Sequence, residues 1–188
     1  QKFFRSTVRQ SDIKFYENAF VCEPFEKTNY DKNLWIWREP IAGKRYLISS
    51  DVARGDGEDY SAFHVLDVES YEQIAEYKGK LPPDEFGYLI SNIGKAYNNA
   101  LAVVESNNLG FMTIQTLVDI KYPNIFYRSK SEKPYVDILN SVTLINDGKA
   151  NPGFETSGKT RPLIISKLEE DIRNKQVVIH SSRTIDEL

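Results

Sequence analysis

Downstream of Gly43 the chain alternates between apolar and polar positions in three consecutive runs. Arg45 to Val52, Ser61 to Val68 and Tyr71 to Lys78 each read as a strand. Gly55 and Gly57 punctuate the first connection, and Glu69-Ser70 closes the second tightly. Short links between successive strands predict an antiparallel meander. Pro82-Pro83 then opens a helix, because proline is tolerated in the first turn. Its apolar face is Phe86, Leu89, Ile90, Ile93 and Tyr97. Gly87, Ser91 and Gly94 form a second stripe of small residues. Each glycine costs about 1 kcal/mol relative to alanine inside a helix, so the stripe predicts close approach to the sheet.

Beyond this helix, Leu101 to Glu105 is a short apolar run of the kind that forms a parallel strand reached by a crossover. Asn107-Asn108 can cap a helix running from about Leu109 to Ile120. Ile125 to Tyr127 reads as another strand, followed by a loop-like region to Arg161. A further helix carries Ile164, Ile165, Leu168 and Ile172, and Val177 to His180 reads as a final strand. Residues 1–40 show no strong period and are rich in aromatics. They read as an arm or short strands leading into a domain spanning 41–188. Three antiparallel strands followed by alternating helices and strands predict a mixed α/β layered domain.

Composition narrows the class without deciding it. The 188 residues, 40% hydrophobic and 27% charged, suit one soluble domain with an arm. No apolar run approaches the ~20 residues of a membrane span, and no secretory signal pattern opens the chain. It starts at Gln1 rather than Met and reads as a fragment of something longer. The single cysteine, Cys22, leaves no internal disulfide and suits a reducing compartment. His64 and His180 lie far apart without cysteine partners, so a zinc site is not expected. The net charge of −3 hides an asymmetry. Asp51 to Glu105 holds eleven Asp/Glu and four Lys/Arg, a net of −7, whereas Lys121 to Leu168 holds four and eight, a net of +4. Two solvated faces would produce this, as would a metal-binding acidic region beside a phosphate-binding basic one.

The acids have a pattern of their own. Asp51, Asp56, Glu58 and Asp59 fall within nine positions. Period-2 alternation puts Leu47, Ser49 and Asp51 on one strand face, and Glu105 ends a second apolar run in the same way. Two carboxylates at neighbouring strand ends repel, raising at least one pKa unless a cation sits between them. Oxygen-only ligation points to Mg²⁺ or Mn²⁺. The plainer alternative is an acid that caps a turn or pairs with a Lys or Arg. Asp56 reads as a turn residue beside Gly55 and Gly57, and Glu58 as solvated turn charge. Asp59 opens the second strand and can point back toward Asp51.

Three stretches together are specific: Asp51-Val-Ala-Arg-Gly55-Asp-Gly-Glu-Asp59-Tyr-Ser-Ala-Phe-His64, Val103-Val-Glu105-Ser-Asn107, and Gly153-Phe-Glu-Thr156-Ser-Gly-Lys159-Thr-Arg161-Pro162. In order and spacing they resemble the nuclease domain of phage terminase large subunits, over about Arg45 to Leu188. The resemblance implies a ribonuclease H-like fold and two-metal endonuclease chemistry on concatemeric double-stranded DNA, with two Mg²⁺ or Mn²⁺ ions. It implies that Asp51 is the acid bridging both metals, Glu105 the second acid and Asp59 an auxiliary one, with Asn107 orienting Glu105. It further implies a preceding ATPase domain, a small subunit and a portal ring as partners, no membrane, and work in the host bacterial cytoplasm. A third acid belongs to the family pattern, commonly in an Asp-Asp pair on a later helix, and this chain has none. Glu169, Glu170 and Asp171 are placed on the solvent side of an amphipathic helix, and Asp186-Glu187 are read as beginning a new element. The third acid is therefore expected past Leu188.

Gly153 to Thr160 also matches the phosphate-loop pattern GxxxxGK[ST]. That loop needs a buried strand entering it and a helix starting at the lysine, and Pro152 speaks against the strand. A flexible basic loop is preferred, with Lys159, Arg161 and Lys149 contacting DNA phosphates; Arg128, Lys130 and Lys133 are secondary candidates. No interleaved aromatic–basic stripe marks a single-strand platform. The rival readings are a nucleotide-binding module built on Gly153–Thr160 and a non-catalytic ribonuclease H-like domain that binds partners. Another ribonuclease H-like enzyme, such as a resolvase, explains the Gly153–Pro162 segment less well.

Overall fold

A computed structural model describes residues 20–28, 32–106, 109–129 and 150–187. The alternation read from the sequence is realised in β3 (Tyr46–Asp51), where Tyr46, Ile48 and Ser50 are buried and Ser49 and Asp51 are exposed. β4 (Ser61–Asp67) runs antiparallel to β3 with Ala62 opposite Asp51. β5 (Glu72–Gly79) runs antiparallel to β4, completing the expected meander. Helix α1 (Pro83–Ala96) carries the chain over to β6 (Leu101–Val104), which pairs with β3 in parallel. The aromatic stretch expected to lead into the domain supplies β1 (Glu26–Thr28) and β2 (Leu34–Ile36). They extend the sheet beyond β5, giving the order β1-β2-β5-β4-β3-β6. The result is a mixed α/β domain with one parallel pair in an otherwise antiparallel sheet.

One sheet face is closed by helices. Phe86 of α1 stacks on Phe63 at 6.0 Å and lies 5.8 Å from Tyr77, while Ile114 and Leu117 of α2 (Gly110–Asp119) complete the same core. The small-residue stripe of α1 corrects an expectation: it admits α2 and its following turn, not the sheet. A Cβ on Gly87 would sit 2.9 Å from Thr116 Cβ, and one on Gly94 would overlap the Tyr122 hydroxyl. The sheet-facing positions are Phe86 and its neighbours, so the two helices nest because the stripe is bare.

The other face carries the even-numbered side of β4. There the C-terminal part forms a small second core of Ile172, Ile179 and Ile185, with Leu168 and Val177 packed on it. It is built from α3 (Thr160–Arg173) and α4 (Ser182–Glu187). Two expectations need correction. Val177 to His180 is no full strand: Val178 makes one parallel bridge to Glu72, because Gln73 turns its side chain to the His180 and Ser181 amides at 3.0 and 2.9 Å instead. Asp186 and Glu187 end α4 rather than begin a new element. Buried charge pins α4 to β5. Glu76 accepts from Thr184 Oγ1 at 2.9 Å and pairs with Arg183 Nε at 2.6 Å, and the Arg183 guanidinium lies over Trp35 at 3.7 Å.

A ribbon of β7 (Tyr127–Ser129) and β8 (Ala150–Pro152) hangs from the outer edge of β6. Backbone bonds from Phe126 N–H to Ala102 O (2.9 Å) and from Phe154 N–H to Val104 O (2.8 Å) attach it. The strand expected at Ile125–Tyr127 is therefore a bridge at Ile125 followed by β7. The stretch read as loop to Arg161 contains β8 and the start of α3.

Candidate active site

Registry decides what meets at the open end of the sheet. Ser49 pairs with Val103 and Ser50 with Val104, and Glu105 N–H donates to Ser50 O at 3.0 Å. Parallel pairing at that offset places Glu105 beside Asp51 on the face that also holds Ser49, Ala62 and His64. Asp51 and Glu105 both line one cleft of about 870 Å³, floored by Ser49, Ala62 and Val103 and walled by Phe154, Thr156 and Ile164. The three sequence stretches that carry the family resemblance thus converge on one cleft.

The two carboxyls act on each other. Asp51 reaches the cleft surface, yet surrounding protein desolvates it and pushes its pKa up. The charge of Glu105 and a carboxyl–carboxyl hydrogen bond push in the same direction. Two features oppose the rise: the Val52 N–H donating to Asp51 Oδ1 at 2.9 Å, and the positive charge of Arg161. Like-charged acids forced together, with a guanidinium at their side, form a site that a hard cation relieves. Their oxygen-only donors fit Mg²⁺ or Mn²⁺ in kind. Among the described residues no group of three Asp, Glu, His or Cys side chains gathers as a metal site, so the described acids are a pair.

Asp59, expected as an auxiliary acid, stands apart from that pair. Asp59 borders the cleft, as does Glu58, but it does not complete a three-carboxylate group. Asn107, Lys149, Lys130 and Lys133 lie outside the described residues.

Glycine sets how closely α2 follows Glu105. A Cβ on Gly110 would overlap the carbonyl oxygen of Glu105, so only glycine lets the helix start there. Gly153 has φ +87°, where L side chains are strained, and its missing Cβ leaves room for Val104 O, 2.9 Å from that position. Ser106 N–H then donates to Phe154 O at 2.7 Å. The Gly153–Arg161 segment is therefore stitched to the strand end that bears Glu105.

The basic residues divide. Arg161, in the first turn of α3, acts electrostatically on Asp51, and Lys159 is exposed at the head of that helix. Arg128 forms an ion pair with Glu155. The phosphate-loop match gains what the sequence argued against, a preceding strand and a helix beginning after Lys159. The strand is a three-residue, half-buried ribbon strand, and Pro152 sits at its end. The loop amides are engaged internally: Ser157 N–H donates to Thr160 Oγ1 at 2.9 Å and Thr160 N–H to Ser157 Oγ at 3.1 Å.

Solved structures with the same architecture are nucleases of phage large terminases. The large terminase nuclease of thermophilic phage G20c with bound zinc superposes with a TM-score of 0.61 at 15% identity, covering 95% of this chain and 86% of that one. The same nuclease with bound magnesium gives 0.57 at 15%, covering 89% and 73%. The large terminase nuclease domain of Thermus phage P74-26 gives 0.58 at 15%, covering 92% and 74%. The fold is that of the large-terminase nucleases. No protein-family model matches the sequence. The likeness in fold extends over about nine-tenths of this chain, well beyond the three short stretches that suggested it.

Some cleft residues were not legible as functional in the sequence. Glu187 enters the cleft from α4 and pairs with Lys78, and Tyr60 stands at its mouth. The signal that would have found Tyr60 and Lys78 is strand register, since both share parity with Ala62 and therefore with Asp51.

Proposed function

We propose that this chain is the nuclease part of a phage large terminase, a Mg²⁺- or Mn²⁺-dependent endonuclease that cuts concatemeric double-stranded DNA during genome packaging. The observation that carries this reading is the meeting of Asp51 and Glu105 at adjacent parallel strand ends, in a cleft of terminase-nuclease fold. Asp51 and Glu105 would hold the metal. When bound, divalent ions supply an activated water and stabilise charge on the leaving oxygen. The chain's own residues do the rest. The Val52 N–H fixes the orientation of the Asp51 carboxylate, and the small side chains of Ser49 and Ala62 leave space above it. Arg161 and Lys159 offset phosphate charge entering the cleft. Asp59 borders the approach.

In the assembled motor the partners would be an ATPase domain, the small subunit and the portal ring, acting in the host bacterial cytoplasm. Among the described residues no helix is long and apolar enough to cross a membrane. The test is incubation of supercoiled plasmid with the purified protein and Mn²⁺ or Mg²⁺. Metal-dependent nicking and linearisation that Asp51→Asn abolishes is the expected result. No cleavage, or cleavage unchanged in Asp51→Asn, removes the reading.

The nucleotide-binding alternative rests on the strand and helix that flank Gly153–Thr160. The mutual bonds of Ser157 and Thr160 speak against it, because they engage amides a phosphate would need. Calorimetric titration with ATP and Mg²⁺ decides it: binding that Lys159→Ala removes would favour it.

A further inference from the structure

Tyr60 is 48% exposed at the mouth of the cleft, and two ammonium groups approach its ring, Lys78 Nζ at 5.3 Å and Lys80 Nζ at 5.1 Å from the centroid. The three residues come from the open ends of two paired strands. Ser61 pairs with Gly79, so Tyr60 and Lys80 are the next residues outward on β4 and β5. Ala62 pairs with both Asp51 and Lys78. Alternation therefore places Tyr60, Lys78 and Lys80 on the face that presents Asp51. Strand geometry sets Tyr60 roughly 5 Å across and 7 Å along from the position of Asp51. Lys78 is tethered by Glu187, whereas Lys80 is exposed.

We propose that Tyr60 and Lys80, backed by Lys78, form a rim that grips the phosphate backbone of DNA beside the phosphodiester held at Asp51 and Glu105. The proposal rests on the nuclease reading and adds cations to that of Arg161. An acidic floor repels a polyanion, so a substrate strand needs cations beside the acids to remain there. Arg161, in the first turn of α3, supplies one positive charge felt at Asp51, and the Tyr60 cluster at the ends of β4 and β5 supplies others. Glu58 and Asp59 border the same cleft, so the field at this rim is mixed and long-range attraction is not its mechanism. The contact is local: the Tyr60 hydroxyl and the Lys80 ammonium donate to one phosphate. A cation over an exposed ring is weakly attracted to its face. That is enough to bias Lys80 toward the cleft while leaving its N–H groups directed outward.

The experiment compares the protein with Lys80→Ala, Tyr60→Ala and Tyr60→Phe. Fluorescence anisotropy of a labelled duplex with Ca²⁺ at several salt concentrations reports binding, and plasmid cleavage with Mn²⁺ reports turnover. Lys80→Ala is expected to weaken binding roughly three- to tenfold and to lower the log–log salt slope by about 1, the signature of one lost phosphate contact. Tyr60→Ala is expected to weaken binding more than Tyr60→Phe, with the cleavage defect falling on KM more than on kcat. Thermal melts check that each variant is folded. A protein that binds and cuts DNA while both alanine variants keep its affinity, salt slope and KM overturns the rim. A protein that neither binds nor cuts DNA overturns the nuclease reading and the rim with it.

Discussion

Asp51 and Glu105, fifty-four positions apart in sequence, meet at the ends of two parallel strands, where Glu105 N–H donates to the carbonyl of Ser50 at 3.0 Å and the Glu105 carboxyl raises the pKa of Asp51. In the free protein burial and the neighbouring Glu105 make Asp51 harder to ionise, so its position is a source of local instability that a bound cation removes.

It follows that Asp51→Asn should lose cleavage yet raise the melting temperature of the metal-free protein. The parent should gain stability with Mn²⁺: at one hundred times Kd the gain is about 2.7 kcal/mol, or roughly 5–10 °C for a chain of this size. The variant should lose most of that gain. Differential scanning fluorimetry with and without metal checks both parts. A variant that melts below its parent in EDTA contradicts the mutual-repulsion account.

Removing Arg183 should be far more damaging than its half-open position suggests. Glu76 is almost wholly buried, and Arg183 is its charge partner at 2.6 Å. Breaking a buried pair from one side costs about 3–5 kcal/mol. Arg183→Leu should therefore lower the melting temperature by roughly 10 °C. Adding Glu76→Gln should restore much of the loss, and denaturant titration of both variants measures the recovery. Equal stability of single and double variants would show that the pair does not hold α4.

His64 gives the cleft floor a pH dependence. Its ring is half-buried on β4 with Nδ1 within 2.8 Å of Gln73 Nε2, and desolvation pulls its pKa below the usual histidine value. Glu76 and Glu187 pull the other way, and Arg183 adds to the lowering. In the unfolded chain the group regains a pKa of about 6.5. Between the depressed folded value and about 6.5 the unfolded state binds more protons, so stability is full above that window and falls as pH drops through it. Urea titrations from pH 7.5 to 5 should show a shallower decline for His64→Gln than for the parent. Parallel declines would mean that other groups set the slope.

Gly110→Ala tests whether backbone proximity positions Glu105. The added methyl must push α2 away from the Glu105 carbonyl. A displacement of about 1 Å in a reacting group can cost on the order of 10²-fold in rate. The expected result is a folded, less stable protein whose cleavage rate falls by at least about tenfold. Unchanged cleavage would place the control of Glu105 elsewhere.

The sequence made some of this legible and left other parts hidden. Asp51 and Glu105 could be read because both terminate apolar runs, and strand alternation is a local signal. Asp59 could be read only as a neighbour of Asp51 in sequence, and the structure places it on the border of the same cleft. The stripe of Gly87, Ser91 and Gly94 announced close packing but not the partner, since a bare helix surface admits a helix as readily as a sheet. Glu187 and Lys78 are separated by 109 positions, and their meeting depends on how α4 is pinned to Glu76.

The crossover through α1 has a consequence for timing. Both acidic strand ends point the same way because β6 returns parallel to β3, and such a return requires the whole intervening helix to be made and packed. A nascent chain that has completed only the meander carries Asp51 without Glu105. The paired-acid centre is in this way absent until synthesis and folding have passed α1.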